Sequence, residues 1–147
     1  MPSLGRSGEV SISKVWLITG ASRGLGRAFT EEALKAGHRV VATSRNSAHL
    51  VDFTSKFGES ARVVSLDVTK ETQAKYAVDA AIETFGGLDV LVNNAGYGNV
   101  CPVEDTSLAD FRAQIETNLF GVIIMTKAVL PYFRERASGQ QHRACMN

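Results

Sequence analysis

A glycine-rich turn, TGASRGLG at residues 19–26, is the feature that most constrains this chain. It follows a short apolar run, VWLIT, and opens a segment in which Leu25, Phe29 and Ala33 recur every fourth residue. A buried strand, a glycine turn and an amphipathic helix form the context in which backbone N–H groups and a helix N-terminus hold a phosphate. No Gly-Lys-Ser/Thr follows, so the turn is not a P-loop. The turn therefore predicts a nucleotide-binding site. The alternative is that its glycines serve only a structural role.

Short apolar runs and helical patterns alternate along the rest of the chain. Runs typical of buried strands occur at 15–19, 39–43, 61–66 and 88–93. Helical patterns lie between them, and Thr69 is the expected N-cap of the one before the fourth strand. The alternation predicts a Rossmann-like three-layer α/β/α fold with a mostly parallel sheet, truncated after about four strands.

The same pattern predicts how the chain is organised. An N-terminal extension is expected at 1–14, an incomplete dinucleotide-binding domain at 15–136 and an unstructured tail at 137–147. The last helical region of the domain runs through Asn118 to about Pro131.

Composition argues against several functions. The net charge is +1 with Lys and Arg scattered, which predicts no surface for nucleic acid or an anionic membrane. Cys101 and Cys145 form neither a disulfide framework nor a zinc site, and His38 and His49 have no second ligand in the sequence nearby, so no metal site is expected. The apolar stretch at 119–130 falls short of the roughly 20 residues that span a bilayer. With no secretory signal at the N-terminus, we expect a cytoplasmic protein.

The end of the second predicted strand bears on the choice of nucleotide. Dinucleotide sites that prefer NAD carry an acidic residue there for the ribose 2′-hydroxyl. This sequence has ATSRN at that point, and the next acid is Asp52, inside the following helix. Arg45 and, in the glycine turn, Arg23 would instead hold a 2′-phosphate. The sequence therefore favours NADP(H) over NAD(H); the alternative is that both arginines are only exposed surface residues.

Four motifs in order resemble the short-chain dehydrogenase/reductase family: TGASRGLG at 19–26, LDVT at 66–69, NNAG at 93–96 and ETNLFG at 116–121. The resemblance covers residues 15 to about 135 and implies a bound nicotinamide dinucleotide. It implies that Asp67 contacts the adenine, that Val68 packs against it, and that Asn118 is the asparagine of the catalytic tetrad, which holds a water in a proton relay. The predicted cofactor contacts are Gly20, Ser22, Arg23, Gly24, Leu25, Gly26, Ser44, Arg45, Asp67, Val68, Asn94, Ala95 and Gly96.

The rest of the family's tetrad is not found in this sequence. The family pairs its asparagine with a serine after a fifth strand and with Tyr-x-x-x-Lys on a later helix, which together perform acid catalysis on a carbonyl or alcohol. Tyr132 and Arg136 mimic the Tyr-x-x-x-Lys spacing, but they follow directly on the Asn118 helix, and Tyr132 and Phe133 are interpreted as core or surface packing residues beside Pro131. We find no fifth strand, so the fourth is expected to be an exposed edge that invites association.

Three hypotheses follow from these motifs. The preferred one is an incomplete NADP(H)-binding portion of a short-chain dehydrogenase/reductase, inactive alone, whose substrate this part of the chain does not define. The second is a working oxidoreductase that takes the missing tetrad residues from another chain. The third is a non-enzymatic module that senses NADP(H), or pairs through the fourth strand with a full-length relative.

Overall fold

The computed structural model describes residues 12–136 and 144–146, and its strands form one parallel sheet. Within these residues the strand order is β3-β2-β1-β4-β5. The strands are β1 Val15–Ile18, β2 Arg39–Ser44, β3 Ala61–Ser65, β4 Val90–Asn93 and β5 Ala144–Met146. The helices are α1 Gly24–Lys35, α2 Val51–Phe57, α3 Glu71–Phe85, α4 Leu108–Ile115 and α5 Gly121–Glu135, with a π-helical segment at Glu116–Phe120 and 3₁₀ turns at Ser47–Leu50, Gly58–Ser60 and Val103–Asp105.

Alternation along the central strand divides the core into two layers. Leu17 of β1 points to one face of the sheet, where α3 and α5 bury Ala77 and Met125 against it. Ile18 points to the other face, where Leu34 of α1 and Phe53 of α2 cover it. Because side chains on a strand alternate between faces, a strand that is apolar at every position needs helices on both sides. The predicted three-layer α/β/α fold with a parallel sheet is confirmed.

The two neighbours of β1 determine where a ligand can bind. β1 pairs with β2 on one side and with β4 on the other, so the chain passes from β1 to β2 and β3 and later returns beside β1. At this change of direction the segments that follow β1 and β4 leave the sheet on opposite faces. Open parallel sheets bind ligands in the crevice outside the carboxyl ends of such strands.

A fifth strand corrects the prediction of four strands and an unstructured tail. Ala144–Met146 run parallel to β4, with Leu91 opposite Ala144 and Asn93 opposite Met146. The expectation that β4 is an exposed edge is therefore wrong. Its outer N–H and C=O groups need partners, and a three-residue strand that supplies them is too short to show in a periodicity pattern. Residues 1–11 of the predicted extension, and 137–143 and 147 of the predicted tail, lie outside the described residues.

The apolar stretch at 119–130 belongs to a longer helical run than the sequence suggested. Leu108–Glu135 form 28 continuous helical residues, long and apolar enough to span a membrane by length and composition alone. This corrects the argument that the stretch is too short. In the fold, the C-terminal half of this run packs against the sheet and α3, where Met125 and Val129 are buried. A core helix of a globular domain passes the same test of length and composition.

One side of this helical run leaves large apolar side chains exposed, and from it we expect the 147-residue protein to self-associate. Leu119 is 53% exposed and Ile123 is 41% exposed, and both lie on that side. Contiguous apolar surface of this kind favours association between protein chains. Replacing both residues with glutamate should therefore shift the mass measured by sedimentation toward that of a monomer.

The matched control for this prediction is Val51→Glu, because Val51 is 57% exposed on α2, on another part of the surface. It should leave the association unchanged. A wild-type protein that stays monomeric at high micromolar concentration would contradict the prediction.

Candidate functional site

An open cleft of about 1100 Å³ lies at the carboxyl ends of β1, β2, β3 and β4. Its walls come from the glycine turn, from the ends of β2 and β3, from the segment after β4 and from the α4–π region. Twelve of the thirteen cofactor contacts predicted from the sequence line it: Gly20, Ser22, Arg23, Gly24, Leu25, Ser44, Arg45, Asp67, Val68, Asn94, Ala95 and Gly96. Residues from segments far apart in the sequence thus meet at one edge of the sheet.

Gly26, the thirteenth predicted contact, is buried and does not line the cleft. A Cβ at this position would lie 2.3 Å from the Nδ2 of Asn94 and 2.3 Å from the carbonyl oxygen of Gly20. The missing side chain therefore lets the first turn of α1 pack against the strand ends. Gly26 therefore supports the packing of the glycine turn. It was predicted as a cofactor contact, and this is corrected because it does not line the cleft.

The glycine turn brings the start of α1 to the cleft. Gly20 and Gly24 have φ angles of 66° and 56°, which glycine adopts without strain. Arg23 precedes the helix in an extended conformation and makes no capping bond with its side chain, and the first turn of α1 contains no acidic residue. The first N–H groups of a helix have no partner within it and carry partial positive charge. This wall is therefore suited to an anion such as a diphosphate.

Thr19 and Asn94 join the ends of β1 and β4. The Thr19 hydroxyl donates to the carbonyl of Val92 at 3.3 Å and accepts from the backbone N–H groups of Asn94 and Ala95, each at 3.0 Å. The Asn94 side chain donates to the carbonyls of Thr19 and Gly20, each at 3.1 Å. Sequence reasoning missed Thr19, although it is the first residue of the glycine motif, because its bonds run to a segment more than 70 residues away.

The end of β2 presents an arginine and no carboxylate. Ser44 is buried, and its hydroxyl donates to the carbonyl of Asn46 at 2.6 Å. Arg45 follows it and lines the cleft, as does Arg23 of the glycine turn. Asp52, the next acid along the chain, forms an ion pair with Arg27. The adenosine end that the sequence predicted is therefore lined by two guanidinium groups.

Asp67 lies at the end of β3, and its carboxylate is held by the residue that was expected to cap α3. Burial raises the pKa of Asp67, but hydrogen bonds from the hydroxyl and the N–H of Thr69, at 2.8 Å and 3.0 Å, outweigh it, and Lys70 and Arg45 add to them. The pKa of Asp67 is therefore lowered, and the group is a carboxylate at neutral pH. The prediction that Thr69 caps α3 is wrong: Lys70 holds that position and makes no capping bond with its side chain.

Asn118 lies in the π-helical segment and contacts the strand end through its side chain. Its Oδ1 accepts from the N–H of Tyr97 at 3.0 Å, and its Nδ2 donates to the carbonyl of Tyr97 at 2.7 Å. It borders a smaller pocket of about 320 Å³ beside the main cleft. Asn93 also lines this smaller pocket. π-helical turns are rare and occur often at functional sites.

Tyr132 and Arg136 lie away from the cleft. The Arg136 guanidinium donates to the Tyr132 hydroxyl at 3.1 Å, to the carbonyl of Leu88 and to Asp89, which precede β4 at the opposite edge of the sheet. The interpretation of Tyr132 and Phe133 as packing residues is confirmed, because both pack against the hydrophobic core. Within residues 12–136 and 144–146, no group of three or more His, Cys, Asp or Glu residues could hold a metal ion.

Comparison with known proteins identifies the family. A family model described as short chain dehydrogenase matches residues 14–140, and the chain belongs to this family. It is 49% identical over 129 residues to oxidoreductase BOA17 of Botryotinia fuckeliana, covering 87% of this chain and 47% of that one. It is 34% identical to the NADP-dependent 3-hydroxy acid dehydrogenase YdfG of Shigella flexneri, covering 84% and 50%.

A solved structure agrees with these matches. The 3-ketoacyl-(acyl-carrier-protein) reductase of Brucella melitensis, complexed with NADH, superposes with a TM-score of 0.84 at 36% identity, covering 89% of this chain and 55% of that one. The chain thus spans about half the length of the curated relatives it matches.

The packing around Gly26 predicts a large effect of a small substitution. Gly26→Ala should destabilise the fold by about 3 kcal/mol, the upper part of the range for overpacking, because a carbonyl oxygen of the backbone blocks the new methyl group. Gly37→Ala is the matched control: Gly37 has a φ of 84° but no atom within 4 Å of the added carbon.

The control should cost only about 1 kcal/mol, the cost of a left-handed conformation for an alanine. The measurement is urea unfolding of the wild type and both variants. Equal destabilisation by the two substitutions would show that close packing does not explain Gly26.

Proposed function

We propose that this chain binds NADP(H) in the cleft and forms the cofactor-binding portion of an oxidoreductase. The supporting observation is that the glycine turn, the ends of β2 and β3 and the segment after β4 together line one elongated crevice at the change of strand order. The bound nicotinamide would supply hydride transfer to or from a carbonyl or alcohol. The substrate itself is not defined by the described residues.

Each part of the cleft suits one part of the dinucleotide. The start of α1, with Gly20 and Gly24, would hold the diphosphate through backbone N–H groups. Asp67 and Val68 would hold the adenine, where a carboxylate accepts a hydrogen bond from the amino group and an apolar side chain covers the ring. The segment from Asn94 to Gly96 would lie beside the nicotinamide half.

The arginines support a preference for NADP(H). A 2′-phosphate needs charge-assisted donors, and Arg23 and Arg45 both line the wall where the adenosine ribose would lie. No acidic residue stands at the end of β2 to accept the 2′-hydroxyl that NAD(H) presents there. One relative is named NADP-dependent and one related structure contains NADH, so the relatives do not decide the preference and the proposal depends on this chain's own residues.

Asn118 is the one residue of the family's tetrad that we assign in this sequence. None of the three tyrosines, Tyr76, Tyr97 and Tyr132, has a lysine four residues later. A general acid is needed to exchange a proton with the substrate oxygen as hydride moves. We therefore propose that these 147 residues bind the cofactor and do not turn over substrate alone.

The preference for NADP(H) can be tested at Arg45. Arg45→Ala should weaken NADPH binding by about 1–3 kcal/mol, because a hydrogen bond to a charged group is lost, and should leave NADH binding nearly unchanged. Arg62→Ala is the matched control. Arg62 is also exposed, but it lies near the amino end of β3, whereas the cleft lies at the carboxyl ends of the strands. Both affinities are measured by calorimetry; an unchanged NADPH/NADH ratio would remove Arg45 from the site.

The absence of turnover is a separate prediction. The purified 147-residue protein should bind NADPH but should not oxidise it when aldehydes and ketones are added, as followed by absorbance of the dihydronicotinamide. Consumption of NADPH that disappears in Asn118→Ala would contradict this prediction and support a working enzyme. Consumption that survives in Asn118→Ala would point to a contaminating reductase.

A further inference from the structure

Residues 97–99 form part of the cleft wall, although little side-chain packing supports the chain at Gly98 and Val100. Tyr97, Gly98 and Asn99 line the cleft and follow Asn94–Gly96, which come directly after β4. A Cβ at Gly98 would have no atom within 4 Å, and Val100 is fully exposed. Neither residue therefore has a packed environment that would fix the backbone in this position.

Two side chains from the helical region hold this segment in place. Asn118 bonds both the N–H and the carbonyl of Tyr97. The Oε1 of Gln114 accepts from the N–H of Asn99 at 2.9 Å. Residues four apart on a helix lie on the same side, one turn above the other, so one helix face presents two amide side chains to successive parts of the segment.

The position of this segment in the sheet assigns it to one end of the proposed cofactor. β4 lies on the side of β1 away from β2 and β3, whose ends present Arg45 and Asp67. A dinucleotide that crosses the crevice with its adenosine over β2 and β3 places its nicotinamide half over the end of β4. The segment therefore borders the nicotinamide half and lies away from the adenosine.

We propose that Gln114 is a positioning residue for the nicotinamide half of the cofactor. Its bond to Asn99 holds residues 97–99 against the helix before any ligand binds, so that wall of the cleft is preformed. Without this bond the segment has more conformational freedom, and binding must order it, which weakens affinity. The inference rests on the proposed binding of NADP(H).

The test compares two ligands and two variants. Gln114→Leu removes the acceptor oxygen at nearly the same size, whereas Gln114→Glu keeps an oxygen that can accept from Asn99. NADPH contacts both ends of the cleft, and adenosine 2′,5′-bisphosphate reaches only the adenosine end. The bisphosphate reports any long-range effect of the new charge in Gln114→Glu on phosphates at the adenosine end.

We expect Gln114→Leu to weaken NADPH binding by about three- to tenfold, the factor expected for one net hydrogen bond, with the bisphosphate changed by less than about twofold. Gln114→Glu should behave like the wild type: the ratio of its affinity for NADPH to its affinity for the bisphosphate should be unchanged. In Gln114→Leu the fluorescence of bound NADPH should shift toward that of free NADPH, because its nicotinamide contacts a less ordered wall. The amide proton of Asn99 in the ligand-free variant should exchange faster with solvent.

Each opposite result overturns the inference. Equal losses of affinity for both ligands in Gln114→Leu would show a general structural role. Unchanged NADPH binding, or unchanged exchange at Asn99, would show that the bond does not hold the segment. A folded wild-type protein that binds neither ligand would instead refute the proposed function, so the two failures are distinguishable.

Discussion

The cleft depends on how two neighbouring parallel strands separate at their carboxyl ends. β1 continues into the glycine turn and β4 into the segment that faces the helical region, so their last backbone groups lose the partners that a regular ladder would provide. Buried N–H and C=O groups without partners are costly. Thr19 and Asn94 supply those partners from both sides of the gap. Thr19 and Asn94 therefore tie the two strand ends together, and the crevice opens above them.

Much of the fold could be predicted from the sequence because its signals are local. The apolar runs and the glycine turn depend on neighbouring residues only. The features that could not be predicted depend on segments distant in the chain. β5 is three residues long and exists because β4 offers it a ladder. Gln114 lies 15 residues from Asn99, and nothing in its own surroundings indicates that it accepts from that backbone N–H.

The same contrast separates the charged residues of the cleft. Arg45 could be found from the sequence because the end of a strand has a known place in this architecture. The environment of Asp67 could not be predicted from the sequence. Thr69 was expected to cap a helix, but its N–H and hydroxyl donate to the Asp67 carboxylate instead. Because its pKa is lowered in the folded chain, this carboxylate contributes stability above the pKa of the unfolded chain and loses it as pH falls through the folded value. As a carboxylate it only accepts hydrogen bonds, whereas the arginines only donate them, so the proposed adenosine end has both acceptors and donors.

The helical region after β4 contacts both the segment that follows β4 and Val68 after β3. Its polar side presents Gln114 and Asn118 to the segment after β4, while its buried side contacts Val68 at Gly121. A Cβ on Gly121 would lie 2.6 Å from the Cγ2 of Val68, so only glycine allows the helix to come this close. The π-helical segment Glu116–Phe120 contains Asn118 and ends directly before Gly121. The ETNLFG motif is therefore explained by geometry: its asparagine holds the backbone beside the proposed nicotinamide half, and its glycine makes room for Val68, which we propose lies against the adenine.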